Sequence, residues 1–291
     1  LLGLLKMTLY SIECGNFKLD GGAMFGVVPK PLWEKTNPAD SQNRIKMATR
    51  SLLIEDGKKL ILIDCGLGDK QNEKFFSHFE RWGKFSLVSS LKKRGFSPED
   101  ITDVVFTHLH FDHCGGAIIY NKKGVLEPFF KNASFWCHQK HWEWAINANK
   151  REKASFLKEN IMPIQESGQL KLIEDDGRLI NSPYLGFNIL LVDGHTEKQM
   201  LPIINYKGQT IVFAGDLIPT LGHLPIPYIM GYDTRPLLTL EEKSFLLDLA
   251  CRENYLLYLE HDPYNELISL KRDSKGVTFD KKFTLSSFFG D

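Results

Sequence analysis

The stretch His108-Leu109-His110-Phe111-Asp112-His113 decides the reading of this chain. It is entered from the β-rich run Asp103-Val104-Val105-Phe106-Thr107 and left through Cys114-Gly115-Gly116. Side chains alternate faces along an extended backbone, so His108 and His110 project to the same side. Asp112 and His113 turn elsewhere, and a single ion does not comfortably take every donor from so short a loop. The spacing therefore predicts a pair of adjacent divalent cations, each needing further ligands from distant positions.

Such ligands stand downstream at Gly194-His195-Thr196, Ala214-Gly215-Asp216 and Glu260-His261-Asp262. Each follows an apolar β-type run, at Phe187–Val192, 210–214 and 255–259. A ligand at the end of a buried strand is held rigidly while it faces a cleft, as a catalytic metal requires. An isolated histidine is more often a hydrogen-bonded core residue than a ligand, but the joint occurrence of these positions reverses that weighting. His78, His138 and His141 lie outside the frame and read as ordinary polar surface or helix residues. His223 is intermediate.

The pattern resembles the metallo-β-lactamase-fold hydrolases. Their His-X-His-X-Asp-His motif is matched by His108 to His113, and their later Gly-His-Thr histidine, aspartate and final histidine by His195, Asp216 and His261. Asp64-Cys65-Gly66 is similar to the family's Asp-Thr-Gly element. The resemblance covers about the whole chain. It implies that His108, His110 and His195 hold the first metal, that Asp112, His113 and His261 hold the second, and that Asp216 bridges them. It also implies an α/β fold, a four-layer αββα sandwich in which residues 1–291 make a single domain with the metals at one edge of its sheets. A histidine-rich shell with carboxylate suits zinc, and such sites also accept Fe, Mn or Co. Diiron oxygen-reducing relatives typically carry Glu at the second motif position. His110 stands there and favours hydrolysis.

Composition narrows the partners. With 291 residues, 43% of them hydrophobic, the chain can bury a large core. Lys plus Arg equals Asp plus Glu at 36 each, so no net field gathers nucleic acid or an anionic membrane. The 5 cysteines, Cys14, Cys65, Cys114, Cys137 and Cys251, lack Cys-X-X-Cys spacing and are odd in number, which points to reduced thiols and a cytoplasmic location. Cys114, although beside His113, reads as a small packed thiol. No stretch is apolar for long enough to span a membrane, and the opening Leu1-Leu2-Gly3-Leu4-Leu5-Lys6-Met7 is too short for a signal-peptide core. A homodimer is compatible with these features.

Along the chain, 8–14 and 51–55 read as strands, the latter joined to Lys59–Ile63 by a hairpin at Asp56-Gly57. Leu87–Lys93 reads as a helix stopped at Arg94-Gly95, and Ser97-Pro98 as the capped start of another short turn. A strand at 133–137, a helix at 140–149 and a polar helix at 152–160 follow. Thr239-Leu240-Glu241-Glu242 has the capping-box pattern, opening a helix to about Arg252 with Phe245, Leu246, Leu249 and Ala250 at helical spacing.

Two cations roughly 3.5–4 Å apart hold a shared hydroxide near neutral pH, the expected nucleophile. Asp112 can pass a proton to the leaving group. The serines lack a Gly-X-Ser-X-Gly setting, which disfavours an acyl-enzyme. Substrate class rests on the Gly-rich apolar stretch 20–29, too irregular for a helix, and on the Pro-rich stretch 217–236 after Asp216. Both resemble the enclosing loops of the family's lactonase and organophosphate-hydrolase branch, which makes Met24, Phe25, Val27 and His223 the expected substrate contacts. The assisting tyrosine that acyl-homoserine lactonases carry shortly after the bridging aspartate is replaced by Leu217-Ile218-Pro219, so Tyr232 or Tyr228 takes that role. Asp193-Gly194 and Glu197-Lys198 stand where many relatives have Pro-Gly. The leading reading is a dinuclear hydrolase of small, neutral, partly hydrophobic esters, a lactonase foremost. Phosphotriester or phosphodiester hydrolysis comes next, then a glyoxalase-II-like thioesterase. A metal-binding module without turnover is the alternative outside enzymology.

Overall fold

The computed structural model describes residues 7–290; the opening 1–6, on which most of the leader expectation rests, lies outside the described residues. The chain forms two compact units. The first takes the chain up to Gly15, Thr49–His78 and Gly83–Glu174, and the second takes Asn16–Ala48, Phe79–Trp82 and the described chain from Asp175 onward.

The strands of the first unit are β1 (Thr8–Asp20), β2 (Arg44–Asp56), β3 (Lys59–Ile63), β4 (Asp103–Val105), β5 (Ile118–Tyr120), β6 (Leu126–Pro128), β7 (Ser134–His138) and β8 (Leu170–Ile173), with the unit boundary falling inside β1 and β2. The sheet order is β1-β2-β3-β4-β7-β8, while β5 and β6 pair as a separate ribbon. From β3 to β8 the neighbours are parallel. Parallel strands covered on both faces read as short apolar runs, and Leu62, Val104 and Phe135 are accordingly fully buried in one core cluster. The helix Leu87–Lys93 has the bounds its sequence predicts, with Ser86 and Ser89 forming a reciprocal cap.

The second unit is built on β9 (Leu179–Ser182), β10 (Phe187–Val192), β11 (Gln199–Tyr206), β12 (Gln209–Phe213), β13 (Leu256–Tyr258), β14 (Leu267–Asp273) and β15 (Gly276–Phe283). They form one sheet in the order β15-β14-β13-β12-β11-β10-β9. All its neighbours are antiparallel except β12 and β13, whose parallel pairing needs a crossover, supplied by the helix Pro236–Arg252. That helix buries Leu246, Leu247 and Ala250 in the unit's own core with Val212 and Leu257.

Three local expectations are corrected. The stretch 20–29 contains a one-turn helix, Gly21–Phe25, because the Asp20 carboxylate accepts the Ala23 N–H at 2.7 Å and Gly21 lets the Trp33 ring approach to where a Cβ would sit 2.3 Å from it. The polar helix expected at 152–160 runs instead over Lys158–Glu166, since Glu152 is drawn inward to accept from Trp144 Nε1 at 2.7 Å and Asn149 Nδ2 at 2.6 Å. The long helix starts at Pro236, which its ring geometry suits, and the Thr239–Glu242 pattern is not a cap. The Glu242 carboxylate is spent on backbone outside the helix, and Phe245 stands 40% exposed while Leu247 fills the core.

Candidate metal centre

In the first unit β4 ends at Val105 and delivers a loop in which His108, His110, Asp112 and His113 are all buried. His108 Nε2 and His110 Nδ1 face each other at 2.9 Å, and the His108 and His113 rings lie 3.9 Å apart between centroids. Asp112 Oδ1 is 3.9 Å from His113 Nε2. The turn Asp64-Cys65-Gly66 organises this cluster. Asp64 sits at a positive φ of 55°, uncommon for a residue with a side chain, and accepts the Thr107 N–H at 2.8 Å and the Thr107 hydroxyl at 2.6 Å. Its Oδ2 also accepts from His113 Nδ1 at 3.0 Å. With its proton given to Asp64, the Thr107 oxygen accepts from His108 Nδ1 at 3.0 Å. Both Nδ1 atoms thus carry the proton, leaving Nε2 as the basic ligand atom.

Two further buried residues lie against the loop. His141 Nε2 accepts the Leu109 N–H at 2.8 Å, and Glu152 Oε1 lies 3.5 Å from His110 Nε2. His141 lies in the helix Gln139–Ile146 and His138 caps it, as the helix half of their reading expects, but each is 1% exposed, so neither is a surface residue. His78 is exposed as expected. Cys114 donates to Leu109 O and burial pushes its thiol up to about 12, which fits the packed, unreactive thiol expected of it.

In the second unit His195 follows β10, Asp216 follows β12 and His261 follows β13, all buried. Asp216 presents one oxygen to each histidine, Oδ2 to His195 Nε2 at 3.2 Å and Oδ1 to His261 Nε2 at 3.0 Å. A carboxylate with its oxygens divided between two imidazoles has the geometry a bridging ligand needs. Here too Nδ1 is committed outward, from His195 to Asp233 Oδ1 at 2.8 Å and from His261 to the Ala48 carbonyl at 2.7 Å. Within each unit the donors His108 with His110, Asp112 with His113, and His195 with Asp216 come within 4.8 Å. Neutral imidazoles, carboxylates and outward-bonded Nδ1 atoms form a donor set that fits divalent cations.

The turn bearing His195 is fixed on several sides. The carboxylate oxygens of Glu242 accept the N–H groups of Asp193 and Gly194 at 2.7 and 2.9 Å, while Gly194 O accepts from Arg235 N at 2.9 Å and His195 O from Thr234 N at 3.1 Å. A Cβ on Gly194 would stand 2.4 Å from Thr239 N, so only glycine lets this turn lie on the helix.

The residues expected to meet substrate are placed differently from one another. Phe25 is fully buried, stacked on His223 at 4.2 Å and on Trp33 at 5.1 Å, with Tyr228 edge-on at 6.2 Å. His223 donates from Nε2 to Met24 O at 2.8 Å and accepts at Nδ1 from Thr220 at 2.8 Å, so both nitrogens are engaged. Burial lowers its pKa to about 3, which keeps the ring neutral. Met24 is 2% exposed and Val27 96%, while Tyr232 is 39% exposed.

Asp64, Glu152 and Asp233 were not assigned roles from sequence. Only Asp64 had a signal, its place in the Asp-Cys-Gly turn. The other two meet residues 42 and 38 positions away in the chain, Glu152 approaching His110 and Asp233 bonded to His195, that no spacing rule reaches.

A family model for the metallo-beta-lactamase superfamily matches residues 46–126. A solved structure of a probable metal-dependent hydrolase from Staphylococcus aureus superposes with a TM-score of 0.84, covering 98% of this chain and 100% of its own at 29% identity. The chain carries a metallo-beta-lactamase domain. The α/β fold that the motif implies is therefore present. N-acyl homoserine lactonase of Bacillus cereus is 25% identical over 233 residues, which cover 76% of this chain and 83% of that protein. AidC, a dizinc quorum-quenching lactonase solved with an N-hexanoyl homoserine product, shares the fold at a TM-score of 0.78 and 23% identity, covering 98% of this chain and 97% of its own. The superfamily match contains the His108 to His113 motif and Asp64, while His195, Asp216 and His261 lie beyond it.

No helix among the described residues is long and apolar enough to cross a membrane. All 5 cysteines are free thiols.

Proposed function

We propose that this chain is a dinuclear metal-dependent lactonase acting on neutral, partly hydrophobic lactones of the acyl-homoserine type. Metal-dependent hydrolysis is what its named relatives share, and lactone opening is the finer reading. The observation that carries it is the divided carboxylate of Asp216, one oxygen toward His195 and the other toward His261. In this reading His108, His110 and His195 hold one ion, Asp112, His113 and His261 hold the other, and Asp216 bridges, with zinc the first choice and Fe, Mn or Co as alternatives.

Bound ions of this kind generate a water-derived nucleophile near neutral pH and polarise the ring carbonyl. The chain's own residues do the rest. Asp64, Thr107, Asp233 and the Ala48 carbonyl fix the imidazoles so that Nε2 faces inward. Asp112 takes up the proton that the attacking water loses and hands it to the ring oxygen as the acyl C–O bond breaks, giving a hydroxy acid. Tyr232, or Tyr228 in its place, donates to the carbonyl oxygen as it gains charge. The neutral charge balance and reduced thiols support an uncharged substrate and a cytoplasmic setting. The whole chain works as one functional domain in this proposal.

The test is a panel of lactones, simple esters, a phosphotriester and a thioester offered to the metal-replete protein. Lactones should be preferred by kcat/KM. Faster phosphotriester or thioester turnover would replace the proposal, and none at all would leave a metal-binding module.

A further inference from the structure

The helix Pro236–Arg252 carries a buried acid and a buried base side by side, Glu242 and Lys243, 6% and 0% exposed. They do not pair with each other. Glu242 accepts both backbone N–H groups of the turn that leads into His195. Lys243 Nζ donates to the carbonyls of Pro225 at 2.7 Å, Tyr228 at 2.9 Å and Ile226 at 3.4 Å. A lysine amine bonded to carbonyls and to no carboxylate is costly to bury, so the arrangement answers to something besides packing.

The bonded segments differ in role. The Glu242 turn ends in a proposed metal ligand. The 225–228 segment carries Tyr228, whose ring abuts Phe25 in the stack of Phe25, His223 and Trp33. One helical turn thus touches the metal side and the wall side through adjacent residues, each by bonds to backbone that a change of loop sequence would leave in place.

We propose that Glu242 and Lys243 are paired positioning residues, Glu242 setting the His195 turn for metal binding and Lys243 setting the 225–228 wall for the acyl part of the substrate. The Lys243 half rests on the lactonase reading; the Glu242 half rests only on metal binding.

The test compares E242Q and K243M with the parent protein by zinc affinity in chelator competition, by amide hydrogen exchange, and by KM and kcat on short- and long-acyl lactones. The amide introduced by E242Q keeps one acceptor and sets an NH2 against the other N–H, so this variant should weaken zinc about 10–100-fold and speed exchange at Asp193 and Gly194 by at least about tenfold. K243M should leave zinc affinity within about twofold, speed exchange across 226–231, and raise KM about tenfold with kcat little changed. Equal profiles for the two variants, or no change in either, would overturn the proposal. Absence of lactone turnover in the parent would defeat the lactonase reading and the Lys243 half with it, while zinc affinity and exchange at Asp193 and Gly194 still decide the Glu242 half.

Discussion

Asp233 Oδ1 stands 2.8 Å from His195 Nδ1, with both residues 2% exposed. A carboxylate in that position fixes the tautomer and ring plane of the imidazole and raises the basicity of Nε2. D233N offers an oxygen or an amide group to the same proton and removes the charge. Zinc affinity should fall about 10–100-fold, read by competition with a chelator, while H78A, altering an exposed residue, should leave it unchanged.

Asp64 serves the first unit in the same way but bears more of the fold, since Thr107 N, Thr107 Oγ1 and His113 Nδ1 all converge on it. D64A strands three buried donors, each costing about 1–3 kcal/mol when left unmet. Urea unfolding should show a loss of several kcal/mol without metal present, and a D64A protein as stable as the parent would mean that the turn does not organise the motif loop.

Phe25 was expected to line the substrate, and its stacked position inside the second unit changes the prediction. F25A should cost about 3–5 kcal/mol of stability, the usual loss for emptying a buried aromatic site. V27A, at a residue 96% exposed, should cost almost nothing. Thermal unfolding of the two variants separates a wall built on Phe25 from one in which it only meets ligand.

Lys243 links stability to pH. Burial lowers its pKa from the ordinary 10.5 to about 7, with Asp233 opposing that shift and neutral His223 among its neighbours. A base with a depressed folded pKa binds fewer protons folded than unfolded between the two values, so stability rises with pH from about 7 toward 10.5 and is lost as pH falls back through 7. K243M should flatten that slope. A K243M protein with the parent's slope between about pH 7.5 and 10 would assign the dependence to another group.

How much of this was legible in the sequence differs by range. His108 to His113 announce their chemistry because the donors lie within one short loop, and His195, Asp216 and His261 because each closes an apolar strand. The end of Leu87–Lys93 followed from Gly95, which acts on adjacent backbone, while the Ser86 cap at its start is a finding of the structure. The Thr239–Glu242 pattern misled because a carboxylate with the right local spacing found better donors at Asp193 and Gly194, 49 and 48 residues away. His141 misled for a related reason, since its partner is the Leu109 N–H, 32 residues back. Local rules see caps and periods, and a side chain whose bond is tertiary looks the same in sequence as one facing water.

The central claim is a pair of cooperating ions, and one titration tests it. Metal-free protein should be given zinc stepwise while opening of a hexanoyl homoserine lactone is followed at each ratio. The rate should climb to a plateau at about two equivalents per chain. A plateau at one equivalent, with no further gain from a second, would contradict the account.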